Sequence, residues 1–174
     1  MHDRALFWSP VPDWSSATIR SASVDGRASL PGAAWQLSGE WGSVLTRLGV
    51  GAVRGPRDRC GDARYALRLS PDGVLLVADG PVDLAPGWHE AGYAATELGD
   101  AFVLVDLEGP GAAAVMAAGS EYPFASTTVR PLESARLQFA GHTIAVSRRP
   151  QGWRLHVPRP WAAALWRWLE VHAE

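Results

Sequence analysis

The sequence predicts an α+β fold, a duplicated strand–helix–strand–strand unit with antiparallel sheets. A strand and a helix, followed by two strands joined by a tight turn, occur twice in the same order: WQLSGEWGSVL corresponds to VDLEGPGAAAV, and RLSPDGVLLV corresponds to VSRRPQGWRLHV. Such a repeat indicates that one supersecondary unit is used twice. We therefore expect repeats at 17–95 and 96–174 in one compact globular unit, preceded by an extended arm at 1–16.

Composition supports a globular protein and excludes several partner classes. The 174 residues are 47% hydrophobic and 20% charged, which is typical of globular domains. A net charge of −2 provides no basic field for nucleic acid or an anionic membrane. No window approaches 18 apolar residues, so no membrane span is predicted. The single cysteine, Cys60, fits a reducing compartment, and with no signal-peptide pattern at the N-terminus we expect a cytoplasmic protein.

The arm at 1–16 carries Trp8 and Trp14 beside Pro10 and Pro12. The prolines argue against regular structure, whereas disordered tails are usually poor in aromatic residues. We therefore predict that the arm lies extended over a surface, which belongs either to its own chain or to another one.

The first repeat is predicted to begin with a strand, a short helix and a loop, followed by two strands and a connection or one short helix. These segments are 35–39, 40–50, 51–64, 65–69, 74–80 and 80–95. Gly49 ends the helix, and the tetrapeptide SPDG at 70–73 is a strong turn signal between the two strands.

The second repeat is predicted to contain a strand, a helix opened by Pro110, and then four strands. These segments are 102–109, 110–120, 127–132, 135–141, 142–147 and 153–157. A terminal helix follows from Trp161, after Pro158 and Pro160, because proline suits the entrance of a helix.

The terminal helix is expected to dock onto the protein's own sheet. An apolar stripe of helical period predicts the docking face: Trp161, Leu165, Trp168, Leu169 and His172. Trp166 lies about 140° around the helix from Trp161, outside this stripe. A large aromatic side chain on a second face suggests contact with a partner, although a loop of the same chain would also cover it.

No motif nominates a catalytic group. Residues Gly109 to Ala114 read G-x-G-x-x-A after a strand, as in dinucleotide sites, but no acidic residue ends a strand about 20 residues later. A simple strand–helix corner is the favoured interpretation. His89-Glu90 resembles the start of a zinc-protease helix, but Tyr93 stands where the second ligand is needed. Arg57, Arg59 and Arg64 near Cys60 would lower a thiol pKa, yet a lone loop cysteine is usually only a small residue.

Three stretches resemble the gamma subunit of heterotetrameric sarcosine oxidase, a family similar to the folate-binding domain of the glycine-cleavage T-protein (aminomethyltransferase). They are ALRLSPDGVLLVADG, TELGDAFVLVDLEGPGAAAVMAAGSEYPF and LHVPRPWAAALWRWLE, within roughly the last 110 residues. Glu97 and Ser120 replace an Asp and a Cys of the family pattern. The acidic pair of the T-protein has no counterpart in the corresponding stretch from Phe139 to Ile144, which argues against aminomethyl transfer.

This resemblance implies the duplicated α+β fold of the aminomethyltransferase folate-binding domain, and a non-catalytic subunit of a flavoprotein complex that oxidatively demethylates an N-methyl amine. It implies no cofactor in this chain, whereas the partner subunits would hold FAD, FMN, NAD and zinc and use tetrahydrofolate. The expected partners are the larger flavoprotein subunits, and the predicted contacts are Trp8, Trp14 and Trp166, because aromatic residues are enriched in interface cores.

Two alternatives stay open. One is a stand-alone folate- or flavin-binding aminomethyltransferase-like protein, which needs a concave, mostly apolar pocket. The other is a homodimer in which Trp166 meets its own copy across a two-fold axis.

Overall fold

Two six-stranded sheets and three helices make up the computed structural model, which describes residues 11–60, 63–124 and 133–174. The elements in chain order are β1 (Thr18–Arg20), β2 (Asp25–Ser29), β3 (Ala33–Gly39), α1 (Gly42–Arg47), β4 (Val53–Arg54), β5 (Arg64–Ser70), β6 (Gly73–Ala78), β7 (Gly87–His89), β8 (Tyr93–Glu97), β9 (Phe102–Glu108), α2 (Ala112–Gly119), β10 (Arg136–Phe139), β11 (His142–Arg149), β12 (Gly152–Pro158) and α3 (Arg159–His172). This confirms the α+β class.

The strand order of the two sheets reveals the duplication. The first sheet runs β1-β2-β9-β12-β11-β10, and the second runs β7-β8-β3-β6-β5-β4. Position by position, β1 to β6 correspond to β7 to β12, with α1 matching α2. Neighbouring strands are antiparallel except β4 and β5, which are parallel. The confirmed fold is therefore a duplicated unit with antiparallel-rich sheets.

Each repeat donates its first hairpin to the sheet of the other repeat. β2 pairs along β9, with Asp25 opposite Glu108, and β8 pairs along β3, with Tyr93 opposite Gly39. Each sheet is consequently completed by the other half of the chain. The division predicted between residues 95 and 96 falls inside β8, whereas the strand order favours a division between β6 and β7.

The elements stack in four layers: α1, the second sheet, the first sheet, and α2 with α3. Strand β6 shows how side-chain alternation builds them, because successive residues of a strand point to opposite faces. Val74 and Leu76 pack on the α1 side, while Leu75 and Val77 pack between the sheets. The outer face of the first sheet, including Leu155, packs against α2 and α3.

Most predicted elements are confirmed, including the strands on either side of the SPDG turn. In that turn, Ser70 Oγ donates a hydrogen bond of 2.9 Å to Asp72 Oδ1. The connection at 80–95 contains no helix; it contains β7 and the first residues of β8. These strands are too short for a periodicity signal, and Gly92, with a φ of +86°, forms the turn between them. The strand predicted at 127–132 lies outside the described residues.

The docking face of α3 differs from the prediction. Its buried residues are Ala162, Leu165, Trp166 and Leu169. Leu165 and Leu169 were predicted correctly, whereas Trp161 is 48% exposed and His172 is also exposed. Ala162 occupies the first buried turn, where a methyl group lies against the core, and the large Trp161 ring faces outward against His142.

The exchanged hairpins predict that the two halves of the chain fold only together. Fragments 1–80 and 81–174, expressed separately, should be insoluble or unfolded, because β3 then lacks β8 and β9 lacks β2. Coexpressed, they should copurify through a tag on one fragment and give a native-like circular dichroism spectrum. A soluble fragment 81–174 that unfolds cooperatively on its own would contradict the exchange.

Candidate functional site

A row of polar side chains lies between the two hydrophobic sheets. The first sheet contributes Asp106 from β9, Ser147 from β11, and Arg154 and His156 from β12, and the second sheet contributes Tyr65 from β5. All of them sit at strand positions that alternate with apolar residues of the outer core. Buried polar groups at such positions must be hydrogen-bonded, since an unpaired one is costly.

The row centres on Tyr65 and His156, which join the two sheets. The Tyr65 hydroxyl lies 2.7 Å from His156 Nε2, and His156 Nδ1 lies 3.3 Å from the Ala145 carbonyl oxygen. Burial, with a further contribution from Arg154, lowers the pKa of His156 to about 3, so its ring is neutral at pH 7. Burial likewise raises the pKa of Tyr65 to about 12. Hence Tyr65 donates to Nε2, and Nδ1–H donates to the carbonyl.

Arg154 and Asp106 extend the row toward solvent through a bidentate ion pair. Arg154 Nε lies 2.7 Å from Asp106 Oδ1, and Nη2 lies 2.6 Å from Oδ2. Burial alone would lower the pKa of Arg154, but its hydrogen bond to Asp106 and its contact with Tyr65 raise it instead. The paired groups thus run from Asp106 through Arg154, Tyr65 and His156 to a backbone carbonyl. Both nitrogens of the imidazole are engaged, which suits a structural role.

Beyond Asp106, the inner face of the first sheet opens into a cleft of about 560 Å³. Its lining comes from β1, β2 and β9: Thr18, Ile19, Arg20, Asp25, Gly26, Arg27, Asp106 and Glu108. In strand register, Asp106 stands between Arg27 and Arg154, and Asp25 stands between Arg20 and Glu108. The neighbouring Arg and Asp side chains stabilise each other modestly, whereas Asp25 and Glu108 carry like charges and repel each other. We call this surface the charged wing.

The equivalent surface of the second sheet is neutral. Tyr93 packs against α1, and successive residues of a strand point to opposite faces, so Ala94 points to the inner face of the sheet. Trp88 lies opposite Ala94 in the β7–β8 pair and points to the same face. Gln36 and Thr96 share this face and are exposed. Trp88 is 73% exposed at the sheet edge, on β7. We call this surface the neutral wing. The sequence interpretation missed Trp88 because it treated residues 80–95 as a connection. The alternation of side chains in the two short strands on either side of the turn at Gly92 is the signal that identifies the hairpin.

A third concave region, of about 490 Å³, lies at the C-terminal end of α2. Its lining includes Tyr122, Phe124, Trp153 and Arg148. The ring centroids of Phe124 lie 4.8 Å from Tyr122 and 6.2 Å from Trp153, and Arg148 Cζ lies 3.9 Å from the Trp153 centroid. Three of its nine lining residues are aromatic, and Arg148 and Glu121 bring one positive and one negative charge; we call this region the aromatic cavity.

Two of the predicted partner contacts are buried within the chain. Trp14 and Trp166 are 5% and 3% exposed, and their rings meet edge to face at 5.8 Å. Trp166 Nε1 donates a 2.9 Å hydrogen bond to Glu170 Oε1. Both indoles are covered by the chain itself, which is one of the two possibilities left open for the arm and for Trp166. Trp8 lies outside the described residues, and partner contact by any of the three stays a prediction.

The motifs that were judged uninformative have local structural explanations. Gly109 has a φ of +100°, and a Cβ there would lie 2.5 Å from the Ser23 carbonyl oxygen. The Gly111 N–H donates 2.8 Å to that same carbonyl, so a strand–helix corner accounts for both glycines.

Cys60 and His89 likewise behave as structural residues. Cys60 is 1% exposed, and burial raises its thiol pKa to about 11. His89 hydrogen-bonds the Ala85 carbonyl at 2.8 Å and stacks on Tyr93. Within residues 11–60, 63–124 and 133–174, no three His, Cys, Asp or Glu side chains are grouped to hold a metal ion.

The buried His156 predicts a specific pH dependence of stability. Its pKa is about 3 in the folded chain and near 6.5 in the unfolded one, so between these values the unfolded state binds more protons. The free energy of unfolding must then fall as pH falls, by about 2 kcal/mol between pH 7 and 5. In urea titrations, His156→Gln should lose this part of the pH dependence. The control His172→Gln, at an exposed position, should retain it; equal pH dependence in both variants would contradict the assignment.

No helix in the part of the chain that the structure describes is long and apolar enough to cross a membrane. Comparison with known proteins yields no matching family model and no matching curated protein. Among solved structures, the chain is similar to one in the heterotetrameric sarcosine oxidase from Corynebacterium sp. U-96 in complex with pyrrole 2-carboxylate. The TM-score is 0.65 at 18% identity, over 89% of this chain and 86% of the other. At this identity the likeness establishes the fold that the two chains share.

Proposed function

We propose that this chain is a gamma-like, non-catalytic subunit of a heterotetrameric flavoprotein complex that oxidatively demethylates sarcosine or a related N-methyl amine. The observation that carries the proposal is the likeness to a chain of a heterotetrameric sarcosine oxidase over 89% of this chain and 86% of that one. The near-equal coverage means that the two chains are similar in length as well as in fold. The three stretches quoted above support the same family.

In this proposal the larger subunits provide the flavin chemistry, and this chain provides binding surface. FAD, FMN and NAD would belong to the larger partner subunits, zinc to a small one, and tetrahydrofolate would accept the one-carbon unit. The buried polar row favours a non-catalytic role for this chain, because His156, the only imidazole in the row, has both nitrogens hydrogen-bonded. A general base needs a free nitrogen within reach of the substrate.

We assign the partner contact to the neutral wing, with Trp88 at its centre. Trp88 is 73% exposed beside the flat surface formed by Ala94, Gln36 and Thr96. Tryptophan is among the residue types that contribute most to binding energy when they are buried in an interface. The charged wing would contribute orientation, since mixed charges discriminate between partners more than they add affinity.

Trp8 remains a proposed contact from the arm. Trp14 and Trp166, being buried against each other, would affect a partner only by holding the arm and α3 in place. Their substitution should therefore lower the stability of this chain first, and partner binding only as a consequence.

Copurification from the native host tests the proposal directly. A tagged copy of the chain should bring down a larger subunit with visible flavin absorbance, in equal molar ratio. Isolation as a single species, with no flavin-bearing chain after mild lysis, would count against the complex.

Trp88→Ala should weaken binding to the larger subunit at least tenfold, because it removes the exposed indole from the proposed contact. The urea midpoint of the isolated chain should hardly change, since the side chain is mostly exposed. Leu30→Ala, at a 41% exposed position away from the neutral wing, is the matched control and should bind normally. Unchanged affinity in Trp88→Ala would remove the neutral wing from the interface.

A second candidate function, binding of folate or flavin by the isolated chain, is favoured by the aromatic cavity. Phe124 could stack on a flat ring, and Arg148, which lies over the Trp153 ring, could pair with an anionic group. Calorimetric titration with tetrahydrofolate and with FMN should then give saturable binding that Phe124→Ala abolishes. No heat of binding at about millimolar ligand would exclude this function.

A further inference from the structure

The terminal helix α3 carries a second apolar face that its own sheet covers only in part. Its buried face is the one described above, whereas Trp161, Ala164, Trp168 and Val171 lie on the other side. Trp161, Ala164 and Val171 are exposed, Val171 at 68%, and Trp168 is half-buried. At 100° per residue, these four positions fall within about 80° of one another. We call them the outer stripe.

Neighbouring rings hold the two indoles of the outer stripe in place. His142 stacks on Trp161 with ring centroids 5.1 Å apart, and His172 stacks on Trp168 at 3.9 Å. Phe139 meets Trp168 edge to face at 5.3 Å. Side chains that are already fixed lose little conformational entropy when a surface covers them, so the stripe is prepared for binding.

The spacing and the sizes along the outer stripe make it complementary to itself. The intervals between its residues are three, four and three, which read the same in both directions. In an antiparallel pair, Trp161 of one copy stands opposite Val171 of the other, and Ala164 stands opposite Trp168. Each indole then meets a smaller side chain, as close packing between helices requires.

We propose that the outer stripe binds a second copy of this chain, as an antiparallel α3–α3 pair about a two-fold axis. The two-fold symmetry follows from the order of the residues along the stripe. In an isologous contact the same two pairs, Trp161 with Val171 and Ala164 with Trp168, form on both sides of the axis. This inference is independent of the proposed function, since it concerns a face other than the neutral wing.

The area of the stripe sets the strength of the dimer. A fully buried Trp removes about 150–250 Å² from water, and here both indoles are already partly covered. The stripe therefore offers about 300–400 Å² per copy, or about 600–800 Å² in total, which is less than stable complexes bury. The expected dimer is weak and forms at high concentration.

The charge beside the stripe predicts how the dimer responds to salt. Arg167 is exposed and borders the stripe at its midpoint, so the two-fold axis brings two Arg167 guanidinium groups near each other. Glu170, His172 and Glu174 lie farther from the midpoint of the stripe than Arg167 does. Added salt screens the repulsion between the guanidinium groups. The dimer should consequently become stronger as salt rises, unlike an association driven by salt bridges.

Sedimentation velocity from about 10 µM to about 1 mM tests the dimer directly. The wild-type chain should shift toward dimer as concentration and salt increase. Val171→Glu should keep the chain monomeric, because it places two charges in the contact while leaving the fold intact. Trp161→Ala should weaken the dimer several-fold, and Arg167→Gln should strengthen it. A chain that stays monomeric throughout, or a dimer that Val171→Glu does not affect, would overturn the proposal.

An oxidative crosslink tests the geometry. In the pairing above, Ala164 of one copy stands opposite Trp168 of the other, so the double variant Ala164→Cys/Trp168→Cys should give a disulfide-linked dimer, which native Cys60, being buried, does not form. Ala164→Cys alone, which faces Trp168 of the other copy, is the matched control and should stay uncrosslinked. Equal crosslinking of the single and double variants, or none in the double variant, would overturn the antiparallel arrangement.

Discussion

The two sheets of this protein are joined by a polar contact inside an apolar interface. Tyr65 reaches from one sheet to His156 on the other, and Arg154 and Asp106 continue the contact to the open cleft. Taking these groups out of water is costly, and the cost is offset because Tyr65, His156, Arg154 and Asp106 are all hydrogen-bonded. A sliding of one sheet over the other by a single residue would break the Tyr65–His156 hydrogen bond and leave the buried Nε2 of His156 without this partner, whereas apolar side chains tolerate such shifts. The row therefore fixes how the sheets sit on each other, and with it the position of both wings.

The exchanged hairpins give the two wings the same geometry but different chemistry. In one repeat the hairpin carries Arg20, Asp25 and Arg27, while in the other it carries Trp88 and Ala94. Both hairpins lie at the end of a sheet, where these side chains are exposed or half-buried. A duplicated fold can thus keep one hairpin charged and the other neutral without disturbing either core, because these side chains belong to neither core. The two repeats therefore differ in the chemistry of their wings rather than in their cores.

Periodicity and turn chemistry predicted most of the fold from the sequence. The SPDG turn, the strand alternation in β5 and β6, and the helices after Gly39 and Gly109 are local signals, and all were found. The hairpin exchange was not predictable from local patterns. It depends on which distant strand the short β1–β2 and β7–β8 hairpins pair with, and that is decided by tertiary contacts. The polar row was missed for a similar reason. Tyr65 and His156 are 91 residues apart and nothing local distinguishes His156 from any strand histidine.

The helix α3 shows why aromatic residues are difficult to assign from spacing alone. It is apolar around most of its circumference, so several stripes of helical period can be drawn through it, and the sequence does not say which one meets the sheet. The structure buries the face with Ala162, Leu165, Trp166 and Leu169, so side-chain size alone does not decide which residues are buried. The bulky Trp161 and Trp168 remain at the margin, held by histidines from the β10–β11 turn and from the helix itself. A helix with surplus apolar surface, stiffened in this way, keeps its own fold and still offers a rigid face for association.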